Sequence, residues 1–382
     1  MQFKAIIGQQ RLKDQLLQTV RENRISHAQL FLSTEGSGAL PLAIAYAQYL
    51  NCQNKSEEDS CGLCSSCRKY EKYIHPDLHF SYPFFASKEV KIAVDVLEEW
   101  RSMLLEDPYF NLDIWRSKLN AENKQANINI AECHDIIKKL SYKAFEADTK
   151  VLIMWLPEYL DTQGNALLKI IEEPPAKTLF ILVAQNQEQI LSTILSRTQI
   201  VKIPKLPDDD IVGFLVQNAQ LAPHQAEEYS FLADGNLIEA KALLSNTPNN
   251  NANYFAEWLR MGFGNKVPAM IAFTETAASW GRENQKNFLK YGINFLRECS
   301  LLLSDANDLV KLPQEALEIA IKLSANVLDL AMVEALIIEL ESAHYHIERN
   351  ANPKILFLDV SLQIVKIIKF KSLPQGTQYI YN

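Results

Sequence analysis

A glycine turn near the start of the chain has the form of a phosphate-binding loop without its reactive side chains. Residues 31–43 have the pattern of a buried strand, a turn at Gly36 and Gly38, and a helix start. Such a loop needs a Lys for the phosphates and a Ser or Thr hydroxyl for Mg²⁺, but Ala39 and Leu40 occupy these positions. The residues predict the shape of a nucleotide site without its chemistry.

Four clustered cysteines have the spacing of a metal site. They are Cys52, Cys61, Cys64 and Cys67. Two overlapping C-x-x-C steps and a fourth cysteine supply four thiolates, the tetrahedral set that suits structural zinc. The alternative is a group of redox-active or chance cysteines. Because four protein ligands leave no open coordination position, zinc here would hold the segment folded and would not catalyse a reaction.

Charged residues near two predicted helix ends are further candidates. Glu172 and Glu173 lie in the last turn of a helix that we expect Asn165 to cap, where they oppose the helix macrodipole. They are either solvated or in contact with a cation, which could come from a neighbouring subunit. Arg197 also follows a predicted helix, where the dipole alone favours a cation. Glu158 follows a buried strand without the acidic pair of an active nucleoside triphosphatase, so we interpret it as a solvated loop residue.

Alternating helices and strands position these residues in the N-terminal half. The apolar spacing predicts helices at 10–23, 42–50, 92–105 and 130–140, and strands at 30–32, 151–156, 179–184 and 200–203. The strands are almost continuously apolar, as is typical of a parallel sheet covered on both faces. Residues 107–127 are polar, and we expect them to be irregular.

The C-terminal half is predicted to be helical throughout. Helices at 211–244 form a small unit, and a Ser, Asn and Pro-rich linker follows at 245–251. The remaining residues form a separate bundle, whose best helices are at 327–347 and 354–370. The two isolated cysteines, Cys133 and Cys299, are expected to be buried.

Composition limits the classes of function. The chain has 382 residues and a net charge of −8, which argues against nucleic-acid binding over its whole surface. We find no signal peptide and no apolar run long enough to span a membrane. Clustered cysteines without a disulfide pattern favour a cytoplasmic location.

The motifs resemble those of bacterial clamp-loader subunits of the AAA+ class, in the same order along the chain. They are Ile7-Gly8-Gln9, the glycine turn, the four cysteines, the run from Asn165 to Pro175, Ser196-Arg197-Thr198, and the run from Asn350 to Lys354. The Asn-Ala-Leu-Leu-Lys and Glu-Glu-Pro-Pro segments are highly specific to this group. The resemblance covers nearly the whole chain except residues 85–125, which have the character of an insertion.

The resemblance implies an α/β plus all-α protein with three domains. An AAA+ parallel-sheet domain would occupy residues 1–205, with a zinc module at about 52–67 and the insertion at about 85–125. A small helical lid would occupy 206–246, and a helical collar 252–382. The implied partners are the tau/gamma ATPase subunits and the delta subunit of DNA polymerase III. The sliding clamp and primer-template DNA would be contacted through the complex, with no membrane involved.

The resemblance also implies a role for Arg197. In this family, the arginine of a Ser-Arg-Cys motif reaches the ATP of the adjacent subunit as an arginine finger, although Thr198 replaces the usual Cys here. The family's ATP-binding Lys and Thr fall on Ala39 and Leu40, and its lid arginine falls near Ile238. We therefore expect a non-hydrolysing subunit. The alternatives are an active AAA+ ATPase, of the tau/gamma or helicase type, and a purely architectural zinc-and-helix adaptor.

Overall fold

The computed structural model describes residues 1–121, 124–244, 251–349 and 351–371. The predicted linker, except Asn251, lies outside the described residues, as do Asn350 and the tail after Leu373. Two compact units are present. One comprises residues 1–214 and 235–241, and the other comprises residues 215–234 and 242–382. The predicted three-domain division stays a prediction.

The first unit contains a parallel sheet, as predicted, but it has five strands, because residues 78–81 add a strand that the apolar spacing did not predict. Its strands lie in the order β2-β5-β6-β1-β7, and a short antiparallel pair, β3 and β4, stands apart from it. The strands are β1 (Ala28–Ser33), β2 (Leu78–Ser81), β3 (Phe84–Phe85), β4 (Ala126–Asn127), β5 (Lys150–Trp155), β6 (Thr178–Ala184) and β7 (Gln199–Ile203). Every residue of β5 and β6 is buried, which explains their continuous apolar character.

The described residues between Gln10 and Leu244 contain eleven α-helices. They are α1 (Gln10–Arg21), α2 (Ala39–Leu50), α3 (Ser65–Glu71), α4 (Leu97–Glu106), α5 (Leu112–Lys118), α6 (Ile130–Ser141), α7 (Leu168–Glu172), α8 (Ser192–Leu195), α9 (Asp208–Ala219), α10 (Pro223–Ala233) and α11 (Leu237–Leu244). Helix α10 belongs to the second unit, and the boundary between the units passes through α9 and α11. The 3-10 helices of the first unit are Phe3–Ala5, Ala93–Val96, Pro157–Leu167 and Gln187–Gln189.

Two local predictions were wrong. Residues 107–127 are not irregular throughout, because they contain α5, whose Trp115 is fully buried and donates to the carbonyl oxygen of Pro83 at 2.8 Å. Asn165 does not cap a helix, because α7 begins only at Leu168 and the Asn165 amide donates to the carbonyl oxygen of Thr162. The preceding residues form 3-10 turns instead.

The second unit is helical in its described residues. Besides α10, it contains α12 (Asn251–Gly264), α13 (Val267–Ser279), α14 (Arg282–Leu303), α15 (Gln314–Asn326), α16 (Leu330–Glu348) and α17 (Pro353–Ile368). Its core is rich in aromatic side chains around Trp258, whose indole N–H donates to Oγ of Ser361 at 2.8 Å. Cys299, like Cys133 in the first unit, is fully buried, as predicted. Across the described ranges of the chain, we find no helix with the length and apolar character needed to cross a membrane.

Candidate functional site: a closed glycine turn and an exposed arginine

The glycine turn has the backbone that its sequence predicts. Gly36 and Gly38 have φ values of +73° and +87°, and Gly38 precedes the first residue of α2. A Cβ on Gly36 would overlap Oδ1 of Asn236 and lie 2.8 Å from the backbone nitrogen of Leu237, so only glycine fits. Ala39 and Leu40 are 6% and 5% exposed and pack into the core of the first unit.

Aromatic side chains from the insertion close the space inside this turn. The cavity there is about 30 Å³, and Tyr109, Phe110 and Trp155 are among its lining residues. The Tyr109 hydroxyl accepts the backbone N–H of Ile7 at 3.1 Å, and its ring would lie 3.2 Å from a Cβ on Gly38. Burial raises the pKa of Tyr109 to about 12, so its hydroxyl stays neutral. A space of this size holds about one water molecule, whereas ligand pockets measure ~300–1,000 Å³.

Polar contacts fix the closing segment to the turn. The carboxylate of Glu35, within the turn, accepts the amides of Asn111 at 3.2 Å and Asn236 at 3.3 Å. Lys241 pairs with Asp107 at 2.7 Å, and its ammonium lies 4.8 Å from the centre of the Tyr109 ring. The turn therefore carries the carboxylate of Glu35 where a phosphate-binding loop presents hydrogen-bond donors. Lys241 is already paired with Asp107.

The strand end beside the turn is also closed. Trp155, the last residue of β5, is 3% exposed, and its ring centre lies 5.1 Å from that of Phe110. Glu158 is not the solvated loop residue that we expected. Its Oε1 accepts the backbone N–H groups of Gln185 and Asn186, the latter at 2.7 Å, and burial raises its pKa. Glu158 therefore joins the ends of β5 and β6.

An open cleft of about 1,090 Å³ lies along the carboxyl ends of β1, β6 and β7. Lys202 and Glu188 are the charged residues in its lining, which otherwise carries amide, hydroxyl and apolar side chains. The cleft thus has one positive and one negative side chain, and no concentration of charge that would select an anion or a cation.

Arg197 lies after α8, and its side chain is partly exposed. Its Nε donates to Oε2 of Glu172 at 2.9 Å, and its Nη1 donates to the carbonyl oxygen of Thr193 at 3.0 Å. The side chain keeps 32% of its surface exposed. The cation that contacts Glu172 is therefore in the same chain, whereas the sequence left open whether Glu172 and Glu173 are solvated or in contact with a cation.

The sheet register places Arg197 and the glycine turn at opposite edges of the sheet. Gln199, two residues after Arg197, pairs with Gln29 at the start of β1, and Ile203 pairs with Ser33 at its end. Four residue steps of a strand span ~13 Å, and the turn lies beyond Ser33. The register therefore separates Arg197 from its own glycine turn by about the length of β1.

The four predicted metal ligands come together. The Sγ atoms of Cys52, Cys61, Cys64 and Cys67 all lie within 4.8 Å of one another. Zinc–sulfur bonds of ~2.3 Å in a tetrahedron separate the sulfurs by ~3.8 Å, and Cys61 and Cys67 are 3.9 Å apart. Backbone N–H groups of Cys64 and Leu63 lower the pKa of Cys61 to about 6, which favours the thiolate that a metal needs. Burial raises the pKa of Cys52 and of Cys67, so without a metal ion these two thiols keep their protons more readily. The donor set fits a tetrahedral metal ion.

Sequence reasoning did not identify two elements of this region. It assigned no role to Tyr109 in the insertion, although Pro108-Tyr109-Phe110 between two tryptophans is an aromatic concentration that favours burial. It also did not pair Glu172 with Arg197, because the two residues are 25 positions apart and no local pattern relates them.

The family described as "DNA polymerase III, delta subunit" matches residues 8–207. DNA polymerase III subunit gamma from Buchnera aphidicola is 25% identical over 75% of this chain and 70% of its own length. Subunit delta' from Bacillus subtilis is 26% identical over 62% of this chain and 60% of its own, and the Yersinia pestis delta' is 30% identical over 45% and 39%.

A solved structure is also similar. It is a DNA polymerase III gamma subunit-related protein from Thermotoga maritima, 15% identical, with a TM-score of 0.36 over 92% of this chain and 99% of that chain. The alignments with both delta' proteins span less than two thirds of those proteins. Because the family match covers more than half of the 382 residues, the chain belongs to the DNA polymerase III, delta subunit family, as its resemblance to clamp-loader subunits predicted.

Proposed function

We propose that this chain is the delta-prime subunit of a DNA polymerase III clamp loader. It binds and hydrolyses no ATP itself, and it supplies Arg197 as an arginine finger to the ATP of a neighbouring tau/gamma subunit. Its partners are those ATPase subunits and a delta subunit, and through the complex the sliding clamp and primer-template DNA. The relatives named gamma and delta' are 25% and 26% identical to the chain, so sequence identity does not distinguish the two types of subunit. The proposal therefore depends on the geometry of the glycine turn and of Arg197.

The proposal rests on one observation: the space inside the glycine turn is too small for a nucleotide, while the guanidinium of Arg197 is partly exposed at the other end of the strands. A triphosphate does not fit a 30 Å³ space, and the position of the phosphate-binding lysine is occupied by the buried Ala39. Glu35 in the same turn would repel phosphate. These features favour a non-hydrolysing subunit over an active AAA+ ATPase.

Arg197 has the chemistry that a neighbour's nucleotide would require. A guanidinium stabilises the charge that develops on a transferring phosphoryl group, and arginine fingers raise such rates by ~10³–10⁵-fold. Because Arg197 and its own turn are at opposite edges of the sheet, the acceptor would belong to another subunit. Zinc at the four cysteines would hold the segment around residues 52–67 in place and take no part in this step.

The test is Arg197→Ala in the full chain, assembled with its ATPase partners, clamp and primed DNA. We expect assembly to be normal and the ATP site beside Arg197 to lose its DNA-stimulated hydrolysis, seen as a smaller burst of phosphate release. Arg24→Ala is the control, because Arg24 is an exposed arginine paired with Glu22 at 3.3 Å. An unchanged burst with Arg197→Ala would contradict the proposal and favour the architectural adaptor.

A further inference from the structure

The chain itself holds two of the three guanidinium nitrogens of Arg197. Nε donates to Glu172, and Nη1 donates to the carbonyl oxygen of Thr193 and lies 3.3 Å from Oγ of Ser196. In the part of the chain that the structure describes, Nη2 has no acceptor. The plane of the group is therefore fixed from one side, while both N–H groups of Nη2 stay available to an external oxygen.

We infer that Glu172 is a positioning residue for Arg197, an inference that rests on the proposed function. An arginine side chain loses considerable rotamer freedom when it is fixed on a phosphate. Glu172 and the Thr193 carbonyl impose part of that order before the neighbouring subunit arrives, so less order has to be created in the transition state. Glu172 contacts no substrate in this scheme and acts only through Arg197.

The position of Glu172 supports this role over a purely local one. It is the last residue of α7, where a carboxylate opposes the helix macrodipole and lowers helix stability. Its contact with Arg197 joins a residue before β6 to a residue before β7, at the same edge of the sheet. A glutamate that destabilises its own helix while holding the exposed arginine has a function at Arg197.

Glu173 provides a matched control. It is the next residue, is also exposed and carries the same charge at the same helix end, but its side chain forms no hydrogen bond or ion pair with Arg197. Substitution of either glutamate relieves the same unfavourable interaction with the helix dipole. A difference between Glu172→Ala and Glu173→Ala therefore reports the contact with the guanidinium.

The experiment uses the assembled complex with clamp and primed DNA, and measures the rate and amplitude of the phosphate-release burst. We expect Glu172→Ala to slow hydrolysis at the site beside Arg197 about two- to fivefold, the effect of losing one exposed ion pair. Burst amplitude, assembly and the KM for ATP should stay unchanged. Glu172→Gln should lose less, because its amide oxygen still accepts from Nε, and Glu173→Ala should match the unsubstituted chain.

Arg197→Ala, alone and combined with Glu172→Ala, separates the two proposals. If Glu172 acts through Arg197, its substitution has no further effect once Arg197 is alanine. If Arg197→Ala itself changes nothing, the proposed function fails. If Arg197→Ala acts but Glu172→Ala equals Glu173→Ala, or if the two losses multiply, only the positioning role is overturned.

Discussion

The glycine turn and the region around Arg197 differ in burial and in charge, two properties on which nucleotide binding depends. At the turn, Ala39 and Tyr109 are buried, and a carboxylate, Glu35, is the charge within the loop. At the other edge, Arg197 is partly exposed and its side-chain contacts leave one nitrogen available. One region retains the shape of a nucleotide site and the other retains a cation that such a site needs.

This difference indicates that the two regions are maintained by different requirements. Side chains at the turn make contacts that a folded core needs, so their substitution should change stability. Arg197 makes contacts that solvent could replace, so its substitution should change activity in a complex and little else. The comparison would fail if a substitution at the turn left stability unchanged, or if substitution of Arg197 lowered it substantially.

Removal of a metal ion from the four cysteines is expected to have the largest effect on stability. It tests whether the glycine turn and Arg197 keep their different properties when the cysteine segment is disturbed. Structural zinc contributes ~10–16 kcal/mol of apparent binding energy in small zinc-binding peptides. We expect one zinc equivalent in the purified chain, lost when Cys64 and Cys67 are replaced by serine, with lower thermal stability. Ser65→Ala, an exposed change between two ligands, is the control. Elemental analysis that finds no zinc in the unsubstituted chain would contradict the assignment.

Hydrogen exchange after chelation should localise that effect. Phe3 and Lys4 donate their N–H groups to Asp59, so the N-terminus should lose protection together with residues 52–71. Protection of the Tyr109 N–H should persist, because it donates to Oδ1 of Asp107, which pairs with Lys241 of α11. Equal loss throughout the first unit would mean that the metal supports the whole fold.

Tyr109→Ala should give the next largest effect. Removing a buried aromatic side chain costs ~3–5 kcal/mol of unfolding free energy, and here it also removes the acceptor of the Ile7 N–H group. Chemical denaturation of the full chain measures the loss. Tyr142→Ala is the control, since that side chain is 60% exposed. We expect no ATP binding by either variant, because Ala39 stands at the position of the phosphate-binding lysine in both. ATP binding by Tyr109→Ala would show that the Tyr109 side chain alone excludes the nucleotide.

Gly36→Ala should be destabilising, by ~1–3 kcal/mol. Its φ of +73° is unfavourable for alanine, and the added Cβ would overlap Asn236. Gly213→Ala has the opposite expectation. Gly213 lies within α9 with no atom within 4 Å of an added Cβ, so alanine there should stabilise the helix by ~0.5–1 kcal/mol. A Gly36→Ala variant as stable as the unsubstituted chain would mean that the turn is not held as described.

The sequence predicted the parts of this molecule that depend on local patterns. The apolar runs of β5 and β6 identified a buried parallel sheet, and the cysteine spacing identified a cluster that the structure brings together. Both signals are contained within a few neighbouring residues. The glycine turn was equally visible, because its conformation depends on residues that follow one another directly.

The sequence did not predict contacts between distant segments. Tyr109 closes a turn that begins more than 70 residues earlier, and its segment is polar enough to be interpreted as irregular. Glu158 and Arg197 depend on backbone and side-chain partners of other strands and helices. Hydrophobic periodicity reports which face of an element is buried, and it does not report which element covers that face.

Arg197→Ala should have the smallest effect on stability, ~0–1 kcal/mol, because the pair with Glu172 is exposed and its partners regain water. Denaturation of the isolated full chain, beside Tyr109→Ala as reference, measures it. A loss of 3 kcal/mol or more would assign Arg197 a structural role and remove the contrast between the two regions. A residue whose removal leaves the isolated chain unchanged, but slows ATP hydrolysis in the complex, has its function in a neighbouring subunit. That combination is what separates an arginine finger from a surface ion pair.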